Sequence, residues 1–362
     1  MENRSLTLRR IRARAVHVPM PRPLATASGA VTFAPLLLVD LEAGGMIGRG
    51  YAFCPSAAVL RPLAALVEEM APMLIGQPLA PFDLERLLAR RFRLLGLQGL
   101  VLMAMSTLDS AAWDALAKSH GKPLVEVLGG SRRPIPAYNS NGLGLSDPAR
   151  LGAEAKSLAK GFKAIKLRLG YPTLEQDLLA VRTVRRAIGS KVALMTDYNQ
   201  GLAVGEAVRR ADALDDEGLA WIEEPTDAHD HAGHARIRAA AETPIQLGEN
   251  FWGVEDMARA IAAGAGDLTM PDLARIGGVS GFVRAAALAQ GAGLPMSSHL
   301  YPEISAHLLA VTPGAHYLEY VDWAAPILTQ PLEIVDGAAA IPARAGHGME
   351  WDEKAVRRYR PE

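Results

Sequence analysis

The chain has 362 residues, which allows two or three domains, or one large barrel with an attachment. Apolar residues make up 49% and charged residues 21%, ordinary globular usage that excludes a disordered chain or a coiled coil. Lys plus Arg is 38 against 39 for Asp plus Glu, a net charge of -1, so the basic excess of a general nucleic-acid binder is missing.

The single cysteine, Cys54, excludes an internal disulfide framework and a multi-cysteine zinc site, and is compatible with a reducing cytoplasm. Residues 1–10 are charged and no apolar run follows them, so no secretory signal is legible. The most apolar stretches, 34–39 and 99–105, fall short of the roughly 20 residues a membrane helix needs. We expect a soluble cytoplasmic protein with neither a nucleic-acid nor a membrane partner.

In chain order, strand-like segments come first at 11–18 and 36–41, with Gly44 and Gly45 at a hairpin turn. Helical spacing follows at 56–70, 84–95 and 100–119, in stretches rich in Ala, Leu and Arg. These predict an α+β capping unit over 1–130. From Pro134 the pattern becomes a repeat of short apolar strand, polar end and Ala- and Arg-rich helix. Strands are predicted at 135–138, 164–169, 193–197, 220–223, 245–248, 268–271, 294–298 and 317–319, with starts 23 to 29 residues apart. Alternating βα units imply a parallel α/β sheet, and eight of them favour a (β/α)8 TIM-type barrel over 131–322. The tail, 323–362, is punctuated by Pro and Gly with little helical period and is expected to pack back on the cap.

The chemistry lies at the ends of those strands. Lys166 and Arg168, Asp197 and Asn199, Glu223 and Glu224, Glu249 and Asn250, Asp272, His299 and Glu319 all close apolar runs at or near their C-terminal ends. In a barrel those ends converge on one face, where active sites are built. Each taken alone could be a helix N-cap. Asp197, Glu223 and Glu249 are spaced by 26 and 26 residues, one βα unit each, and would present three carboxylates to one point. Unpaired they would repel, so a positive species belongs there: a hard divalent cation such as Mg2+, or a network of Arg and Lys along the rim. Lys166 and Arg168 flank this trio on one side, Asp272 and His299 on the other. Asp272 could bond one ring nitrogen of His299 and leave the other free as a base. Glu319 fits a rim ion pair equally well.

Other features are weaker. His229, His231 and His234 read as a solvated loop, Gly277-Gly278 with Gly281 as a turn into a helix, and Cys54 as core filler. The usual nucleotide, zinc-protease and serine-hydrolase motifs are absent.

These motifs, in order and spacing, resemble the enolase superfamily and, within it, the mandelate racemase subgroup. The likeness spans nearly the whole chain. Its most specific stretches are Lys166-Leu167-Arg168, Asp197-Tyr198-Asn199, Trp221-Ile222-Glu223-Glu224-Pro225, Gly248-Glu249-Asn250, Pro271-Asp272 and Ser297-Ser298-His299. The resemblance implies that Asp197, Glu223 and Glu249 bind Mg2+ and that His299 with Asp272 is the base for one substrate face. It also implies that Lys166 meets the substrate carboxylate, Glu319 donates to a developing enediolate, and Asn199 and Ser140 hold substrate oxygens. Leu24, Thr26 and Val31 stand where the family's substrate-covering residues stand. A homo-oligomer, an octamer by the same resemblance, is expected.

One departure matters. The subgroup has Lys-x-Lys on the second barrel strand, its second lysine being the base for the opposite face, and this chain has Arg168 there. Arginine is a poor base. The expected activity is removal of the α-proton of a small 2-hydroxycarboxylate in the manner of mandelate racemase. An acid-sugar dehydratase using His299 alone is the alternative within the class, and a non-catalytic binding or scaffold barrel the alternative outside it.

Overall fold

The computed structural model describes residues 6–26 and 29–361. Leu8–Thr26 (β1), Gly29–Ala43 (β2) and Met46–Phe53 (β3) form an antiparallel sheet in that order. Gly44 and Gly45, both at positive φ, make the two-residue turn that pairs Ala43 with Met46. Leu60–Leu74 (α1), Pro81–Phe92 (α2), Gly99–Ser119 (α3) and the single turn Leu124–Val127 (α4) complete this unit. Strand β3 lies directly on α3: a Cβ at Gly48 would run into the backbone of Ala111 and Ala115, so glycine is required for the two backbones to meet. By length and composition α3 could cross a bilayer, and it is longer than the apolar stretch read at 99–105. In the fold 89% of its most apolar window is buried in protein, as in the core helix of a domain.

The barrel begins with Ile135–Asn139 (β4) and Pro148–Leu158 (α5), followed by Ala164–Arg168 (β5), Leu174–Ile188 (α6), Ala193–Asp197 (β6) and Val204–Leu214 (α7). It continues through Ile222–Glu223 (β7), His231–Ala240 (α8), Ile245–Leu247 (β8), Val254–Ala262 (α9) and Leu268–Thr269 (β9). Leu273–Ile276 (α10), Gly278–Gly291 (α11), Pro302–Val311 (α12) and Leu318–Tyr320 (β10) finish the circuit. Local signals set the helix starts: Asp147 caps α5 ahead of Pro148, and Thr173 with Gln176 makes a capping box on α6. Each strand from β4 to β9 pairs in parallel with the next. Met296 and His299 bridge in parallel to Thr269 and Asp272, Met296 also bridges to Ala315, and β10 pairs in parallel with β4 to close the barrel. All eight predicted strands are present, the seventh as bridges.

After β10 the chain makes a hairpin, Glu333–Val335 (β11) and Ala338–Ala340 (β12), whose second strand pairs antiparallel with β4. The tail then forms a helix that its Pro- and Gly-rich sequence did not suggest, Glu353–Arg358 (α13), capped by Asp352. Trp351 Nε1 donates to Asp40 at 2.7 Å, Arg14 pairs with Glu353 at 2.7 Å, and His17 N donates to Tyr359 O at 2.8 Å. The histidine-rich stretch also corrects the loop expectation. His231 and His234 lie in α8, with His234 fully buried and His231 Nε2 3.3 Å from Asp256.

Buried polar contacts dock the first unit on the barrel mouth. Asp109 of α3 accepts from Ser280 N (2.9 Å) and Oγ (2.6 Å), and Tyr51 of β3 donates to Glu303 of α12 at 2.9 Å. Burial pushes the Asp109 and Glu303 carboxyls each up to about 7.

Candidate active site

The barrel pairing places Arg168 opposite Asp197 and Asp197 opposite Glu223, so neighbouring strand ends deliver their carboxylates to one level. Asp197, Glu223 and Glu249 each contribute an oxygen to a set whose members lie within 4.8 Å of one another. Lys166 reaches into this set: its Nζ is 2.5 Å from Glu223, 3.2 Å from Asp197 and 2.9 Å from Glu319, and it is 1% exposed. Across the trio, His299 Nε2 is 3.0 Å from Glu249 and 3.7 Å from Glu319. Its Nδ1 meets Asp272 at 2.7 Å. The other oxygen of Asp272 caps α10, accepting from Ala274 N (2.8 Å) and Arg275 N (3.1 Å). The resulting dyad is held by backbone at one end.

The backbone is strained where these side chains converge. Leu143, Asn199, Gln200, Glu224, Leu300 and Tyr301 have positive φ without being glycine, and all follow barrel strands on this face. Such strain is kept where the surrounding structure holds it, commonly at functional sites.

Acid is in excess. Among the described residues Lys166 and His299 are the cations paired with the carboxylates of Asp197, Glu223, Glu249, Glu319 and Asp272, with Arg275 close to Glu249, so acid outnumbers base. Burial, only partly offset by the charge of Lys166, raises the Glu223 carboxyl to about 8. Glu249 and Glu319 are also buried, which would raise them. The charge of His299 beside Glu249 and that of Lys166 beside Glu319 overcome this, holding Glu249 below the usual carboxylate range and Glu319 at about 2. Burial would lower His299 and Lys166, yet Glu249 and Glu319 raise the imidazole, and Glu223 and Glu319 raise the amine. An all-oxygen donor set, buried and over-charged, fits a hard divalent cation, and Asp197, Glu223 and Glu249 are the residues that would hold it.

The remaining predicted residues divide. Asn199 donates to Asp197 through its side chain (3.1 Å) and backbone (2.8 Å), so it lies at the trio. Ser140 is buried just after β4, where its backbone N donates to Tyr320 O at 3.0 Å, beside Glu319. Arg168 points away from the carboxylates: Nη1 donates to Ser140 O (2.7 Å) and Gly142 O (3.0 Å), and Nη2 to Ser140 Oγ (2.8 Å). Val31 pairs with Leu24 where the β1–β2 ribbon extends beyond the sheet, and Ala25 O accepts from Leu145 N at 2.9 Å, bringing the ribbon to the barrel mouth. The side chains of Leu24 and Thr26 lie outside the described residues.

The sequence assigns no role to Trp221, Gln246 or Arg275, whereas Glu224 and Asn250 read as strand-end residues. Trp221 Nε1 (3.0 Å) and Gln246 Nε2 (3.3 Å) both donate to Glu223 Oε2 and leave Oε1 toward Lys166. Glu224 accepts from Asn250 at 2.6 Å, and Arg275 donates to Glu249 O at 2.9 Å. The adjacent acids Glu223-Glu224 were the available signal. Nothing in a linear pattern shows that Gln246 points inward.

Comparison with known proteins identifies the family. Residues 10–129 match the N-terminal domain of mandelate racemase / muconate lactonizing enzyme, and residues 150–355 match the enolase C-terminal domain-like family. The fold and site thus define an enzyme of the enolase superfamily, and the chain belongs to its mandelate racemase / muconate lactonizing enzyme family. Among curated relatives, L-talarate/galactarate dehydratase of Salmonella typhimurium is 33% identical over 86% of this chain and 79% of its own. An enolase of Bradyrhizobium, solved with magnesium and mandelic acid, is 44% identical with a TM-score of 0.95, covering 100% of both chains. An enolase of the alpha proteobacterium bal199, solved with bound magnesium, is 42% identical with a TM-score of 0.96, covering 98% of this chain and 100% of its own.

Proposed function

We propose that the chain removes the α-proton of a 2-hydroxycarboxylate in an Mg2+-dependent reaction, giving an enediolate as in mandelate racemase. The observation that carries this is the acid trio, Asp197 and Glu223 buried and Glu249 largely so, set between Lys166 and the His299–Asp272 dyad. Mg2+ held by Asp197, Glu223 and Glu249 would draw substrate oxygens and offset the negative charge that develops on them.

The chain's own groups do the rest. His299 Nδ1–H donates to Asp272, which leaves the Nε2 lone pair to take the α-proton. Glu249 and Glu319 raise the imidazole above its ordinary range, and a cation held by Glu249 would remove part of that effect and favour the neutral base. Lys166 offers its ammonium to the substrate carboxylate. Glu319 is ionised beside Lys166, and an incoming carboxylate would raise its pKa by like-charge repulsion, so that Glu319 takes up a proton from solvent as substrate binds and then has one to donate. Asn199 and Ser140 border the same space as holders of substrate oxygens, and the β1–β2 ribbon, on which Val31 lies, comes down to its mouth.

Arg168 supports a second reading within the class. Its guanidinium donates to Ser140 and Gly142 and cannot lose a proton at neutral pH, so among the described residues the competent base lies on the His299 face. One-face abstraction followed by loss of a β-hydroxyl, an acid-sugar dehydration, suits that arrangement better than racemisation. A scaffold reading is disfavoured, because an uncompensated buried acid cluster costs stability and would have no compensating use. Screening aryl and alkyl 2-hydroxy acids and sugar acids for α-proton exchange in deuterated water tests the proposal. Exchange that requires Mg2+ and His299 is the expected result, and a blank calorimetric titration with Mg2+ would overturn it. We also propose a cytoplasmic homo-oligomer, which light scattering of the purified protein and localisation of a tagged copy would check.

A further inference from the structure

We infer that Trp221 and Gln246 are positioning residues that make Glu223 a one-oxygen ligand and so select a small divalent cation, Mg2+, over the larger Ca2+. This selectivity presupposes the metal site proposed above, in which Asp197, Glu223 and Glu249 hold the cation. Trp221 directly precedes β7, Gln246 of β8 lies level with Glu223 of β7 in the parallel register, and all three side chains are fully buried. An ionised carboxylate has two oxygens that share about four lone-pair sites. Trp221 Nε1 at 3.0 Å and Gln246 Nε2 at 3.3 Å take the two sites of Oε2, and Lys166 Nζ at 2.5 Å takes one site of Oε1. One site, on Oε1, is left for a metal.

Neither donor can turn away. An indole N–H donates and cannot accept, and the Trp221 ring is packed against Tyr138 and Tyr317, with centroids 5.3 and 5.9 Å away. The Gln246 amide has one orientation beside a carboxylate, because the reverse would set oxygen against oxygen, and its Nε2 also lies 3.1 Å from Met270 Sδ. That orientation leaves Gln246 Oε1 buried with no hydrogen-bond partner among the described residues. An apolar side chain in this packed interior would avoid the cost of an orphaned acceptor, so the amide is explained by its donors and not by packing. The consequence for a metal follows from coordination number. Mg2+ takes about six oxygens in near-octahedral order, whereas Ca2+ takes roughly six to eight and often uses both oxygens of one carboxylate. With Oε2 occupied, Glu223 cannot supply the second oxygen that Ca2+ would use.

The test is calorimetric titration of the full-length protein with Mg2+ alone and with Ca2+ alone, for the unmodified chain, Gln246→Met, Trp221→Phe and the double variant. The unmodified protein should bind Mg2+ at least about tenfold more tightly than Ca2+. Each single substitution is expected to weaken Mg2+ binding about ten- to a hundredfold, the usual effect of losing a residue that orients a metal ligand, while Ca2+ binding changes less than about threefold or tightens. The Mg2+-to-Ca2+ ratio therefore falls, and falls furthest in the double variant, where both sites of Oε2 are open. A residue needed only for packing would weaken both ions together and leave the ratio in place. Gln246→Met, which keeps the length of the side chain beside Met270, carries the test alone if Trp221→Phe does not fold. A ratio within about threefold of the unmodified value in every folded variant would overturn the inference and leave the metal site intact, as would an unmodified protein that binds Ca2+ as tightly as Mg2+. No Mg2+ binding by the unmodified protein would overturn the metal site and the inference with it.

Discussion

Asp272→Asn isolates the base from the metal centre, because the side chain that orients His299 touches none of the three clustered carboxylates. One Asp272 oxygen accepts two backbone N–H groups at the start of α10, and the other accepts His299 Nδ1–H at 2.7 Å. An asparagine can satisfy the two backbone donors only with its carbonyl oxygen, so its NH2 must face His299 Nδ1. That nitrogen then has to accept, and the imidazole proton moves to Nε2, the atom required as base. The shape changes by one atom while the tautomer is inverted. In a His–Asp pair of another enzyme family the same inversion lowers turnover about 10^4-fold, and general-base catalysis is ordinarily worth about 10^2 to 10^4, or roughly 3 to 5 kcal/mol of barrier. We expect a loss in this range in α-proton exchange followed by NMR in deuterated water, with Mg2+ affinity within about threefold of the unmodified protein. Exchange surviving within a factor of about three would refute the orientation argument, whatever the substrate.

Three further outcomes are expected. Glu223→Gln, or a chelator applied to the unmodified protein, should reduce exchange by at least about 10^3 with the far-UV circular dichroism unchanged, since the trio supplies charge the cation needs; full activity in chelator would sink the metal assignment. The unmodified protein should exchange one enantiomer only, with His299→Asn stopping that exchange and Arg168→Lys adding slow exchange of the other, because a desolvated lysine can lose its proton and arginine cannot; comparable exchange of both enantiomers by the unmodified protein would reveal a second base. Burial pushes His307 down to about 3, with Nδ1 accepting from Val125 N and Nε2 facing His347 O, so it stays neutral in the fold while the unfolded chain protonates near 6.5. The stability this gives is complete above about pH 6.5 and is lost as pH falls toward 3, at up to about 1.4 kcal/mol per unit, so His307→Gln should flatten urea-measured stability across that window, and an unchanged slope would discount the histidine.

Much of the barrel was legible because each of its features repeats. A βα unit announces itself by a short apolar run, a polar end and a helix, and eight such runs place their ends on one face whatever the loops do. The trio was readable for the same reason: Asp197, Glu223 and Glu249 are one unit apart in sequence, and parallel pairing turns that spacing into a single level. Short elements escaped. Helix α13 has too few residues for a helical period to show, and His231 and His234 entered α8 because Asp230 caps it, a signal masked by the surrounding polar residues.

The sequence by itself determined which residues reach the barrel mouth, since strand periodicity and unit spacing are local properties written along the chain. Only the tertiary structure decided what each of them does there. Lys166 and Arg168 are two residues apart on one strand and equally cationic. One is surrounded by Asp197, Glu223 and Glu319, and the other is bound by the carbonyls of the 140–143 turn. That difference comes from a loop whose left-handed residues turn its oxygens toward Arg168, a contact between segments 26 to 28 positions apart that neither segment encodes alone. In the same way Trp221 and Gln246 support Glu223 because barrel closure directs their side chains inward, and closure depends on β10 reaching β4 across nearly 200 residues of chain.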